Sequence, residues 1–261
     1  MIDHSRFALR LAAAARAETL PRWAGAETAT NKAGPSGYDP VTEADVEAER
    51  AMRALIEVEY PDHGIIGEEF GTKPAQGRHS WSLDPVDGTR AFVCGLPSWT
   101  TLIALLEDGA PTLGIIDAPR MDELYLGDAE GTRLVTGSGE RPLRCSGCER
   151  IDEARFSTTD AYLFEGAERD AFERIRASAR LTRYGLDAYG YARLAAGSLD
   201  LVVESGLKRW VYEALIPVVR GAGGIVGNWR GEPDFSAGRI VAAATPALFE
   251  AAVAITRHAE G

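Results

Sequence analysis

Four apolar runs, TTLIALL, TLGIID, ELYLG and TRLVT, follow one another between residues 100 and 136, each four or five residues from the next. Parallel strands need a crossover of a dozen or more residues, so neighbours this close in the chain pair antiparallel. The first gap, EDGAP, contains the Asp-Gly of a hairpin turn. GIIG (64–67) and SWSL (80–83) read as shorter strands of the same sheet. Ahead of them, residues 5–19 predict a helix with Phe7, Leu11 and Ala14 or Ala15 on one face. A second helix begins at Thr42, whose hydroxyl caps it while Asp45 sits in the first turn. Ala48, Met52, Leu55 and Ile56 keep helical spacing until Pro61 closes the segment. The first half is therefore expected to be two helices on a largely antiparallel sheet.

The second half alternates instead. ARFSTT reads as a strand, ERDAFERIRASA and LDAYGYARLAAG as helices, and LDLVVE (199–204) as a strand. The helix YEALIPVVRGAGG, the strands GIVGNW and RIVAAAT, and a last helix opened by Thr245 and Pro246 complete the chain. Such alternation implies an α/β layer arrangement. Composition shifts in the Cys/Gly/Ser loop near 145–153, dividing the chain into an N-terminal α+β subdomain (1–148) and a C-terminal α/β subdomain (149–261). With 261 residues and 45% hydrophobic content, both can have real cores.

A net charge of −11 and the lack of a basic stripe exclude a nucleic-acid polymer as the natural partner. Neither a charged-then-apolar leader nor a long apolar run is present, so no secretion signal or membrane span is expected. Three cysteines make no disulfide framework, and a reduced cytoplasm is the simplest compartment. The Cys145-to-Cys148 spacing in RCSGCE has no second pair or nearby histidine to complete a metal site, and structural chance is the expected reading.

Acidic residues of the first half gather where strands end and helices begin. Glu68 and Glu69 end GIIGEE, Asp84 and Asp87 end SLDPVD, and Asp45 opens the second helix. Hard oxygen ligands at such points suit Mg²⁺, and a bound cation would let so acidic a chain accept an anionic substrate. Pro85 turns the chain so that both aspartates and the Val86 carbonyl face one cavity. Gly88 admits a close ligand, and Thr89 opens a helical turn whose amides can hold phosphate. Taken singly, each has an ordinary alternative: a helix-dipole partner, a solvated turn, a common turn dipeptide.

Together, DPVTEAD (39–45), GIIGEEFG (64–71) and LDPVDGTRAF (83–92) resemble the signature blocks of the inositol monophosphatase-like superfamily, small-molecule phosphatases dependent on Mg²⁺. GSLDLVVESGLK and EALIPVVRGAGGIV resemble its C-terminal block, and LTRYGLDAYGYARLAAG further resembles the histidinol-phosphatase branch. The resemblance implies a layered αβαβα sandwich. It implies about two or three Mg²⁺ sites held by Glu68, Asp84, the Val86 carbonyl and Asp87. It makes Asp45 and Thr89, with Glu68, the groups that activate water, and the Gly88 and Thr89 amides the phosphate holders. Arg90, Asp187 and Glu204 would meet the organic part of the substrate. Lys32 would lie in a loop reaching toward the metals, longer here than the family pattern. Also implied are a small phosphorylated metabolite as partner, first of all L-histidinol phosphate of histidine biosynthesis, and a homodimer.

One position departs from the pattern. Counting back from GAGG, the aspartate expected in the C-terminal block falls on Val211, so one cation site is weakened. Glu213 lies two residues on, about 200° around a helix, and replaces it only if the helix start is unwound. Three consequences are open: a weaker second metal site, a phosphate-binding paralogue with little activity, or an oxygen supplied by Glu213 or Glu204. Retained but altered hydrolysis is the favoured expectation, with an inositol phosphate, a nucleotide or a specialised metabolite as other substrates.

Overall fold

The computed structural model describes residues 4–23, 30–31 and 40–259. Helix α1 (His4–Trp23) and helix α2 (Glu43–Glu59) are joined through the short antiparallel pair β1 (Thr30–Asn31) and β2 (Pro40–Val41). An eight-stranded sheet follows, formed by β3 (Gly64–Gly67), β4 (Gly71–Lys73), β5 (His79–Asp87), β6 (Thr100–Glu107), β7 (Ala110–Ala118), β8 (Glu123–Asp128), β9 (Gly131–Thr136) and β10 (Gly139–Pro142). Its order is β10-β9-β8-β7-β6-β5-β3-β4, antiparallel except for β3 beside β5. The short helix α3 (Thr89–Val93) lies between β5 and β6.

A five-stranded sheet comes from β11 (Arg155–Ser157), β12 (Leu181–Arg183), β13 (Leu201–Glu204), β14 (Ile225–Gly227) and β15 (Ile240–Ala243), in the order β12-β11-β13-β15-β14. Its helices are α4 (Gly166–Ser178), α5 (Ala188–Ala195), α6 (Arg209–Gly221) and α7 (Pro246–Thr256).

Three of the hydrophobic clusters among the described residues fill the spaces between five layers, the central one lying on both sides of α5 and α6. Phe7, Leu11, Met52 and Ile56 of the first two helices pack on Trp81, Leu83 and Ile103 of the large sheet. Its other face, with Leu102, Ile116 and Tyr125, meets α5 and α6 through Tyr191, Leu194 and Leu215, and these reach on to Val202 and Ala242 of the small sheet. Phe172, Leu248 and Val253 of α4 and α7 cover that sheet's far side with Phe156 and Val241. The result is an αβαβα sandwich, as the resemblance implies.

Several local expectations shift. Strand β5 does not stop at Leu83 but runs to Asp87, with its register against β6 broken between Asp84 and Asp87. Proline is tolerated in a strand at such an irregularity, and the Thr101 hydroxyl holds the Pro85 carbonyl at 2.7 Å. Helix α1 continues past residue 19 to Trp23, and α6 begins at Arg209, ahead of the tyrosine where the sequence pattern places it. Strands β4, β10 and β12 are three or four residues long, too short to show a period.

Helix α6 packs on the large sheet through glycine. A Cβ at Gly114 would stand 2.1 Å from the Ala214 carbonyl, and one at Gly127 would stand 2.5 Å from Val218 Cα and the Pro217 carbonyl. Gly127→Ala should therefore cost about 1–3 kcal/mol through overpacking. Gly77→Ala, with open space around it, should leave Tm unchanged. Equal Tm values for the two variants in a thermal melt would show that the helix-to-sheet contact is not tight.

Candidate active site

Thr42 and Asp45 form a reciprocal capping box at the start of α2. The Thr42 amide and hydroxyl both donate to Asp45 Oδ2, at 2.8 and 2.6 Å, while the Ala44 amide donates to the Thr42 hydroxyl at 3.2 Å. Burial pushes Asp45 up to about 6, against the pull of these bonds and with the nearby Glu69 charge adding to the rise. The Thr89 hydroxyl donates to the Val86 carbonyl at 3.0 Å. Asp45 and Thr89 are thus each engaged separately.

Asp84 is buried on β5, and its Oδ1 has no hydrogen-bond partner. Burial first, then the charges of Glu68, Asp87 and Asp45, hold its carboxyl well above the ordinary range. Glu68 follows β3, the parallel neighbour of β5, and its amide donates to the Leu83 carbonyl at 3.3 Å, so Glu68 and Asp84 are carried side by side on neighbouring strands. Asp87 Oδ2 accepts the Ala188 amide at 2.8 Å and the Thr100 hydroxyl at 3.3 Å. Burial, with the Asp187 charge, raises Asp87 to about 8.

The Ala188 contact ties the first half to the first turn of α5. Gly88, at φ 78°, lies so close to this turn that a Cβ there would be 3.1 Å from Asp187 Oδ2. Asp187 itself adopts φ 47° and ψ −138°, a backbone region that residues other than glycine rarely occupy. Burial raises it to about 6 while the Arg90 charge lowers it. The strained backbone also explains why α5 starts at Ala188 and not at Leu186.

Asp87, Asp187, Glu204 and Val211 line one cavity of about 140 Å³, together with Tyr191 and Leu163. Glu204 Oε1 accepts the Thr159 amide at 2.6 Å and its hydroxyl at 3.0 Å, whereas Oε2 is buried without a partner. Burial pushes Glu204 up to about 8 against the Thr159 bonds. The Tyr191 hydroxyl is likewise buried and unpartnered.

Val211 stands in a helical first turn that is wound, not opened, with its amide on the Lys208 carbonyl at 3.1 Å. Glu213 leaves on another side, takes the Arg209 Nε at 2.5 Å, and lines a separate cavity beside Tyr212 and Phe235. Lys32 falls outside the described residues. Among the described residues, no three His, Cys, Asp or Glu side chains stand converged as a closed metal cage. The donor set nevertheless fits a hard cation: an orphaned Asp84 oxygen, surrounded by carboxylates that raise one another's affinity for positive charge.

Residues that sequence reasoning missed include Glu49, which holds the turn after Glu68, and Thr100, Thr159 and Tyr191. Glu49 left one signal, an i,i+4 pairing with Arg53 on α2. The others lie far along the chain from the groups they meet.

Comparison with known proteins gives the chain's family. Residues 3–260 match the model of the inositol monophosphatase family, and the chain belongs to that family. It is 42% identical over 196 residues to the chloroplastic bifunctional phosphatase IMPL2 of Arabidopsis thaliana, covering 74% of this chain but only 56% of that longer protein. A histidinol-phosphatase of Chlorobaculum parvum is 34% identical over 210 residues, 80% of each chain. An inositol monophosphatase from Zymomonas mobilis superposes with a TM-score of 0.85 at 40% identity, covering 98% of both chains. No helix among the described residues is long and apolar enough to cross a membrane.

Carboxylates raised in the folded state carry protons that the unfolded chain has already lost, so stability falls as pH rises through the interval. Asp87 and Glu204, both at about 8, extend this loss from the ordinary carboxylate range up to about pH 8. His63, lowered to about 4 chiefly by burial, acts in the opposite sense but only below its ordinary value. Chelator-treated protein should therefore melt at a lower temperature at about pH 8.5 than at about pH 6.5. A flat Tm across that window would contradict the burial of these carboxylates.

Proposed function

We propose that this chain hydrolyses a small phosphomonoester whose organic part carries a cationic amine, with L-histidinol phosphate the first substrate to test. The observation that carries this reading is the cavity beside the Asp84 cluster. Its polar wall is acidic, through Asp187 and Glu204, and its apolar wall is Leu163, Leu207 and Val211. An amine on a compact apolar body satisfies both walls, and a neutral polyol satisfies the acidic wall less well. Relatives named as histidinol-phosphatases support the same substrate, while others named as inositol monophosphatases keep the alternative under test.

Glu68, Asp84, the Val86 carbonyl and Asp87 would hold Mg²⁺. When bound, the ion neutralises phosphate charge and acidifies water. Asp45, at about 6, is suited to take a proton near neutral pH, with Thr89 beside the Val86 carbonyl to orient the donor. The Gly88 and Thr89 amides would hold phosphate oxygens, and Asp187, Glu204 and Arg90 would orient the organic group.

Purified protein should release phosphate from L-histidinol phosphate faster than from inositol 1-phosphate, lose the activity with EDTA, and regain it with millimolar Mg²⁺. Asp84→Asn should lower kcat by roughly 100-fold or more, as expected when charge stabilisation of the reacting group is removed. No turnover of any phosphomonoester at millimolar Mg²⁺, with binding retained, would favour the second reading: a phosphate-ligand-binding paralogue, which Val211 in the cavity wall permits.

Val211→Asp separates the two. It restores a carboxylate to a side chain that already lines the cavity, so tighter Mg²⁺ binding and faster turnover are expected. If neither changes, position 211 is not the missing ligand.

A further inference from the structure

The turn that carries Glu68 is built around a carboxylate from another element. Glu49, one helical turn beyond Asp45 on α2, is fully buried. Its Oε2 accepts the Glu69 amide at 2.8 Å and its Oε1 the Phe70 amide at 3.2 Å, the two amides directly after Glu68. Arg53 Nε donates to Oε1 at 2.7 Å, and another nitrogen of the same guanidinium donates to the Gly71 carbonyl. On the other flank, a Cβ at Gly67 would fall 1.9 Å from Glu49 Oε1, so the carboxylate occupies the space where a side chain would be.

Successive backbone N–H groups curled around an anion form a preorganised nest. Here the anion is the protein's own. It binds the two amides after Glu68 and fills the space beside Gly67 before it, and the Glu68 amide is tied to the Leu83 carbonyl, immediately before Asp84. The backbones of Glu68 and Asp84 are thereby locked to each other through α2 and β5.

We propose that Glu49 is a positioning residue for the cation site: its carboxylate fixes the Glu68 turn and so sets the aim of Glu68 toward Asp84. This inference rests on the reading of Glu68 and Asp84 as cation-holding groups. Packing alone would make Glu49 matter for melting temperature but not for the cation affinity of the folded protein.

Mg²⁺ binding is therefore measured directly, by titration calorimetry on the chelator-stripped full chain without substrate, well below its melting temperature. Glu49→Gln keeps the shape but turns an NH₂ toward a donor. It should raise the Mg²⁺ Kd by about 10-fold, the low end for groups that orient metal ligands. KM for L-histidinol phosphate at saturating Mg²⁺ should stay the same. Arg53→Met should weaken Mg²⁺ binding in the same direction but less, and the exposed Glu57→Gln on the same helix should leave it unchanged.

Glu68→Gln is the reference. If it weakens Mg²⁺ binding while folded Glu49→Gln does not, the positioning role is overturned and the site reading survives. If neither variant weakens it, the site reading fails and the positioning role falls with it. Should Glu49→Gln not fold, Arg53→Met decides by the same titration: unchanged Kd rejects the role, and a raised Kd supports it.

Discussion

A single hydrogen bond, from the Ala188 amide to Asp87 Oδ2, connects the acidic cluster of the large sheet to the first turn of α5. Much of the site geometry follows from it. It brings Asp187 against Gly88, which must lack a side chain there, and it orders the turn from which Asp187 enters the cavity with Glu204. The bond also draws on charge: an amide in a helix's first turn has no intrahelical partner, and a buried carboxylate is a strong acceptor for it. Asp87 therefore belongs to both halves of the chain.

Around this joint, burial and like charge act together. Asp84, Asp87, Asp187 and Glu204 are all raised, in each case chiefly by burial. Such crowding is unfavourable for the bare fold, and it persists only because the surrounding layers hold it. Trp81, Leu83 and Ile103 anchor β5 from one side, and α6 seats on the sheet's other face through glycines of β7 and β8. The scaffold stabilises an arrangement that its own electrostatics oppose, which is the condition for holding a cation firmly.

Much of this was legible in the chain, and what was hidden has physical reasons. The meander from β6 to β9 followed from short gaps and a hairpin dipeptide, and the Thr42 cap from its place before a periodic run. The path of β5 through Pro85 was hidden because a proline between aspartates reads as a turn. Only the neighbouring β6, with Thr101 on the Pro85 carbonyl, shows that the strand resumes. Asp187 was visible as a residue but not as a strained one, since the groups packed against its turn, Asp87 and Gly88, lie about a hundred residues earlier. Glu49 has no sequence signal beyond its i,i+4 spacing to Arg53, and only the GEEF turn folded around it gives it a second role.

The glycine contacts of α6 have a further consequence. Because Gly114 and Gly127 seat the helix backbone directly on the sheet, the helix has little room to slide or roll, and each of its side chains points at a fixed place. The residue at 211 then faces the cavity from a fixed helix. Valine and aspartate are both short side chains, and a valine codon ending in a pyrimidine becomes an aspartate codon by one base change. A lineage could thus retune how strongly this pocket attracts positive charge by a single mutation, with the packing around it preserved. The tight seat makes position 211 an adjustable element in an otherwise rigid frame.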